Sequence, residues 1–200
     1  MSDLLLELFS EEIPARMQAK AEADLSSALV EGLKAAGVEG TKVTALSGPR
    51  RLTVNIEGLP ERSPDVSEER KGPKVGAPEK AVEGFLRGAG LASIDEAVVR
   101  SDPKKGDFYV ALREIPGRPL EEIIAELVPA IVRGFHWPKS MRWGRGELRW
   151  VRPLQSILCL FDGKVVDFEI DGLKSGNSTE GHRIMGRGPY EVASFEQYLH

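Results

Sequence analysis

Residues 156–170 read Ser156-Ile157-Leu158-Cys159-Leu160-Phe161-Asp162-Gly163-Lys164-Val165-Val166-Asp167-Phe168-Glu169-Ile170. Two β-type runs, Ser156 to Phe161 and Val165 to Ile170, flank Asp162-Gly163-Lys164. Asp-Gly between such runs is a strong hairpin signal, because a tight turn needs positive φ at residues that tolerate it. Antiparallel pairing is therefore the starting point for the fold. Working outward, Arg51 to Ile56 alternates and sets Leu52, Val54 and Ile56 on one side, as in a half-buried strand. Leu4 to Phe9 and Val43 to Leu46 are further strand-like runs, and Phe108 to Arg113 is another.

Helices are interspersed among these strands. Pro14 suits a first helical turn. After it, Met17, Ala21, Leu25, Ala28, Leu29, Leu33 and Ala36 recur at three- and four-residue steps, with Gly37 as the stop. Pro119 opens a second helix, in which Leu120, Ile123, Ile124, Leu127, Val128, Ile131, Val132 and Phe135 lie on one face. Pro129 is expected to kink it and Pro138 to bar its continuation. Glu79 to Arg87 reads as a short helix burying Val82, Phe85 and Leu86, ended by Gly88-Ala89-Gly90. Ala193 to Leu199 reads as the start of another. The segment 60–78, with four prolines, many charges and few apolar residues, reads as an exposed, mobile loop. Without a regular βαβ period, the class is α+β, with mixed helices and mainly antiparallel strands, over a single region 1–200.

Composition excludes several functions. The chain has 200 residues, 27 Lys and Arg against 31 Asp and Glu, and one cysteine. Cys159 alone can make no internal disulfide and no cysteine-rich zinc site. His136, His182 and His200 lack metal-ligand spacing, so no metal site is expected. The N-terminal apolar run is short, broken by Glu7 and preceded by no basic residue, unlike a signal peptide. No stretch approaches a membrane span. A soluble protein of a reducing compartment is the expectation.

The formal charge of -4 hides a segregated distribution. Residues 1–39 hold eight acidic and three basic side chains, whereas 133–152 hold six basic and one acidic. All three tryptophans, Trp137, Trp143 and Trp150, lie in that second window. Phosphates are held by guanidinium forks and ammonium groups, and unstacked bases by flat aromatic faces. Lys139, Arg142, Arg145, Arg149 and Arg152 are thus candidate RNA contacts, with Trp143 as a stacking face. The same pattern also suits a tryptophan core rimmed by solvated arginines. Arg50-Arg51 and Arg70-Lys71-Gly72-Pro73-Lys74 are smaller basic clusters.

Catalytic signals are absent. There is no phosphate-cradling G-x-x-x-x-G-K-[ST], no dinucleotide fingerprint after a strand, and no nucleophile elbow. Cys159 sits in an apolar run and reads as a buried thiol. Glu11-Glu12 read as helix-start chemistry, because adjacent carboxylates do not converge. His182, beside Arg183 in a glycine-framed segment, reads as a binding or structural histidine.

Several phrases occur in a distinctive order: LLLELFSEEIPARM (4–17), SGPRRLTVNIEGL (47–59), RKGPKVGAP (70–78), FHWPKSMRWG (135–144), RWVRPLQSILCLFDGKVV (149–166) and GHRIMG (181–186). As a set they resemble the N-terminal part of the β subunit of the bacterial two-subunit glycyl-tRNA synthetases. The resemblance implies a longer chain, cut here before its C-terminal domains, including an anticodon-binding domain. It implies a cytoplasmic α2β2 ligase in which a separate α subunit binds glycine, ATP and Mg2+. The β subunit recognises and positions tRNA(Gly), and the fragment binds no cofactor and is inactive alone. It also implies a fold similar to the editing-type domain of the phenylalanyl-tRNA synthetase β chain. No catalytic residue carries over. Pro138-Lys139-Ser140-Met141-Arg142 departs from the KMSKS signature of class I synthetases and implies no ATP role. On this reading Lys139, Arg142, Trp143, Arg145, Arg149 and Arg152 lead the tRNA-binding candidates, followed by Arg50, Arg51, Lys71, Lys74, His182 and Arg183. Two other readings stand beside it: a docking module for the α subunit, and a remnant aminoacyl-tRNA editing domain.

Overall fold

Asp162 and Gly163 have φ of 53° and 73°, the paired left-handed conformation of a type I′ turn. The expected hairpin is therefore formed. The computed structural model describes residues 1–142, 145–181 and 188–200. In chain order the elements are β1 (Ser2–Ser10), α1 (Ala15–Ala35), β2 (Lys42–Gly48), β3 (Arg51–Leu59), β4 (Val66–Lys74), α2 (Glu79–Ala89), β5 (Val98–Asp102), β6 (Gly106–Ile115) and α3 (Leu120–Gly134). They continue as β7 (Leu154–Phe161), β8 (Lys164–Val165), β9 (Glu169–Ile170), β10 (Leu173–Gly176), β11 (Ser178–Thr179), β12 (Tyr190–Glu191) and α4 (Phe195–Leu199). The α+β class with mainly antiparallel strands is as expected. The single region is not: the chain divides into two units, 1–63 with 118–200, and 64–117.

The first unit is built on a sheet of order β2-β3-β1-β7-β10-β9, with β8 paired to β7. β1 lies antiparallel between β3 and β7, in register Leu6↔Val54 and Leu6↔Cys159. Alternation sends Leu4, Leu6, Leu8, Leu52, Val54, Ile56, Ile157, Cys159 and Phe161 into one core, with Met17, Leu25 and Leu29 of α1 and Ile124, Val128 and Val132 of α3. α1 ends as Gly37 predicts. Gly37 adopts φ 79°, its N–H donates to the Lys34 carbonyl at 2.9 Å and Val38 N–H to the Leu33 carbonyl at 3.0 Å. This Schellman closure is one that glycine makes without strain. α3 continues as one helix across Pro129.

The second face of the sheet differs in character. Leu5, Leu158 and Leu160 pack with Val192 and the half-buried Phe195 and Tyr198. Beside them lie the buried polar residues Glu7, Thr53 and Asn55. Residues 188–200 cover part of this face, through Val192, Phe195 and Tyr198.

The run expected as one strand, Val165 to Ile170, is two short ones. Ser175 Oγ accepts from Phe168 N–H at 2.9 Å and donates to the Val166 carbonyl at 2.5 Å. That occupies the backbone which would have continued the ladder. β9 instead turns through Asp171 and Gly172, φ 51° and 86°, into β10, which runs parallel to β7.

The second unit corrects the expectation of a loop at 60–78. Residues 66–74 form β4, the edge of a three-stranded antiparallel sheet of order β4-β6-β5. Its side chains are mostly exposed, which is why hydropathy hides it. Pro73 lies where the register shifts between Lys71 and Lys74, a place where an edge strand tolerates proline. α2 packs on this sheet through Phe85, whose ring fills the space where a side chain at Gly72 would sit. Val82 and Leu86, expected in the core, are only half-buried.

Candidate nucleic-acid interface

The basic segment follows α3, which ends at Gly134. Phe135, Trp137 and Trp150 then form an aromatic cluster with ring centroids 4.9 to 5.1 Å apart. Trp150 is fully buried and Trp137 is 7 % exposed. These two tryptophans belong to the core, not to a stacking surface. Trp143 lies outside the described residues.

Two clamps hold the loop that rises from this cluster. Met141 N–H donates to the Trp150 carbonyl at 2.8 Å, and Trp150 N–H returns the bond at 3.3 Å. The Asp171 carboxylate accepts from Glu147 N–H at 3.2 Å and Leu148 N–H at 3.4 Å. Gly146 is what lets Asp171 come so close: a Cβ there would fall 1.9 Å from Asp171 Oδ2. Gly146→Ala is therefore expected to displace the carboxylate, break both bonds and destabilise the chain by about 1–3 kcal/mol. Urea unfolding is the check, and an unchanged midpoint contradicts the clamp.

Lys139, Arg142, Arg145 and Arg149 are all exposed, and none has a carboxylate partner among the described residues. Arg152 is half-buried and donates to the Val151 carbonyl at 2.9 Å. Among the described residues the loop thus presents exposed cations with no carboxylate partner, an arrangement able to bind an extended polyanion.

The remaining candidates are placed differently. Arg50 stacks 4.6 Å from the Phe9 ring centroid and donates to Gln155 Oε1 at 2.8 Å. Arg51 is committed inward, to Glu7 Oε2 at 3.3 Å and the Glu180 carbonyl at 2.6 Å. Lys71 and Lys74 lie on β4 of the second unit, Lys71 with its ammonium 5.9 Å from the Phe108 ring centroid. His182 and Arg183 lie outside the described residues.

Arg51 leads to a centre that sequence reasoning missed. Glu7 is fully buried on the central strand. Its carboxylate takes the Arg51 ion pair, the Thr179 hydroxyl at 2.6 Å and a short bond from the Tyr198 hydroxyl. Tyr198 in turn bonds Thr53 Oγ1 at 2.7 Å. Burial, and then the charge of Glu7, push the Tyr198 hydroxyl up to about 12, so it stays protonated and donates. The signal was available: one charged residue inside the apolar run 4–9.

Beside this network lies a cleft of about 790 Å³. Glu180, Glu191 and Glu196 line it with Arg51, Tyr190 and His200. Burial raises the Cys159 thiol far above its ordinary range, which leaves it no nucleophile. No metal-ligand cluster occurs among the described residues, and no described helix is long and apolar enough to cross a membrane.

Residues 4–200 match the family described as glycyl-tRNA synthetase beta subunit. The chain belongs to that family. Over 202 residues it is 59 % identical to the glycine–tRNA ligase beta subunit of Ruegeria sp. strain TM1040. It is 54 % identical to the proteins of the same description from two strains of Cereibacter sphaeroides. In each case 99 % of this chain is covered, but only 29 % of the relative.

Proposed function

We propose that this chain is the N-terminal, tRNA-holding part of a cytoplasmic glycine–tRNA ligase beta subunit. On this reading a separate α subunit, in an α2β2 assembly, joins glycine to tRNA with ATP and Mg2+, releasing AMP and pyrophosphate. The present chain positions tRNA(Gly) for that reaction and does no chemistry itself. The observation that carries the reading is the loop of unpaired cations, Lys139, Arg142, Arg145 and Arg149, held by the Met141–Trp150 and Asp171 clamps. Exposed cations spaced along a loop with an anchored backbone neutralise successive phosphates.

Docking of the α subunit on the same loop is the rival use of the segment. Interface hot spots favour exposed Trp beside Arg, yet Trp137 and Trp150 are buried. Among the described residues the loop's surface is mostly charge, with Met141 as its one large apolar side chain, and this favours RNA. Crosslinking the full-length assembly to tRNA(Gly) tests this, with the modified peptides mapped. Crosslinks within 138–152 are expected. Crosslinks to RNA elsewhere, with α-subunit peptides joined to this loop, would establish docking in its place.

A further inference from the structure

We infer that the cleft of about 790 Å³ beside the Glu7 centre is the seat of this chain's own continuation, with α4 running on past His200 as a helix that lies over Phe9 and Arg51 and sets a basic side chain among the cleft's carboxylates. The inference goes beyond the tRNA-holding reading and does not depend on it.

α4 is written as the start of a longer helix. Ser194 Oγ accepts from Gln197 N–H at 3.2 Å, and Gln197 Oε1 accepts from Ala193 N–H at 3.0 Å. Such a Ser-x-x-Gln exchange is the capping box that opens helices, and Glu196 places an acidic residue in the first turn, where the helix dipole favours one. Residues 195–200 hold no glycine or proline that would stop the helix. The five residues of α4 are far short of the ~12–15 at which a helix begins to hold by itself. Its order comes from packing, through Phe195 and Tyr198. The curated relatives are matched over only 29 % of their length, so there is ample chain to extend it.

The sheet sets the direction. Phe195 lines a small cavity with Leu5 and Leu160. One turn later Tyr198 bonds Glu7 and Thr53. Leu5, Glu7 and Phe9 alternate onto one face of β1, and Glu7↔Thr53 and Phe9↔Arg51 are facing pairs in its register with β3. α4 therefore advances along β1 by roughly two strand residues per turn, which matches a helical pitch of ~5.4 Å against a strand rise of ~6.8 Å over two residues. The next turn falls over Phe9 and Arg51, where the cleft opens. Arg51, Thr179 and Glu180 wall that cleft together with Leu199 and His200.

The chemistry of the cleft fits such an occupant. Leu199 and Tyr190 line it while 58 % and 51 % exposed. Glu180, Glu191 and Glu196 contribute three carboxylates, none in an ion pair among the described residues. Arg51 is already paired with Glu7. A helical turn with an apolar side chain towards Leu199 and a Lys or Arg towards the carboxylates satisfies both needs. The later parts of the chain are then joined to the Glu7 centre by a seated helix and not by a free linker.

Hydrogen exchange of the full-length β subunit, by itself and in the α/β assembly, tests this. In the β subunit by itself, amides of the two turns after Leu199 are expected to exchange at least ~100-fold more slowly than an unstructured chain. Exchange at unstructured rates overturns the helix. Protection that arises only on adding the α subunit makes that subunit the occupant and overturns the proposal. Leu199→Glu is expected to speed exchange over 195–200 and the following turns roughly tenfold, while β1 and β3 keep their protection. Glu191→Lys reverses one carboxylate of the wall without altering the helix, and about a threefold change in the same amides is expected. Unchanged exchange there in both variants overturns the seating of α4 in the cleft.

Discussion

Glu7→Ala is expected to lower folding stability by roughly 3 kcal/mol, because it removes one member of a buried ion pair and strands the other. Arg51 would keep its Glu180 carbonyl but lose its counter-charge, and the Thr179 and Tyr198 hydroxyls would lose their acceptor. These bonds tie Thr179, Glu180 and Tyr198 to the strands β1 and β3, so residues 178–181 and 188–200 should loosen first. Urea unfolding gives the size of the loss, and hydrogen exchange along 188–200 gives its place. Glu7→Gln keeps an acceptor and is expected to lose about half as much. Replacing Glu7 and Arg51 together by Leu and Met should recover much of the loss, as buried pairs exchanged for apolar residues often do. A Glu7→Ala variant within about 0.5 kcal/mol of the parent contradicts this account. The phenol adds a pH dependence of known sign. Its folded value is raised above that of the unfolded chain, to about 12. Its contribution is therefore complete below the unfolded value near 10 and is lost as pH climbs through 12.

The second large effect is on RNA binding. Arg142, Arg145 and Arg149 are exposed and their guanidinium groups are unpaired among the described residues. Changing all three to Ala should leave the fold nearly untouched, since surface substitutions typically shift stability by less than 0.5 kcal/mol. Each phosphate neutralised contributes a slope of about -0.7 to -0.9 in log affinity against log salt. At 0.15 M salt that is roughly fivefold per contact, so the triple variant should bind tRNA(Gly) about 100-fold more weakly. A docking role for the same arginines would instead weaken subunit association and leave the RNA contacts alone.

Much of this was legible in the amino-acid order, and the exceptions have physical causes. Strong periodicity located α1 and α3, Gly37 located a helix stop, and Asp162-Gly163 located a turn, because each signal is local. β4 was missed because an edge strand can be written almost entirely in charged residues, its ladder being made by backbone atoms that hydropathy does not see. The division at residues 63 and 118 was missed because the ends of the inserted unit meet only in three dimensions, where Asp65 Oδ1 accepts Gly117 N–H at 2.6 Å. The basic segment stood out by charge, but its two readings could not be separated by composition. Burial assigns Trp137 and Trp150 to the core and leaves the cations exposed, so the core reading holds for these two tryptophans. Glu7 and Asp171 were overlooked because their value depends on partners 44 and 172 residues away for Glu7 and 23 and 24 for Asp171.

Salt dependence tests most directly whether the clamped loop holds RNA by its cations. Binding of tRNA(Gly) to the full-length α/β assembly is measured from low to physiological salt, for the parent and for the triple Arg142, Arg145, Arg149 to Ala variant. The expected result is a steep linear log–log plot for the parent and a slope about 2 to 3 shallower for the variant. Identical slopes and affinities for the two proteins would contradict the account.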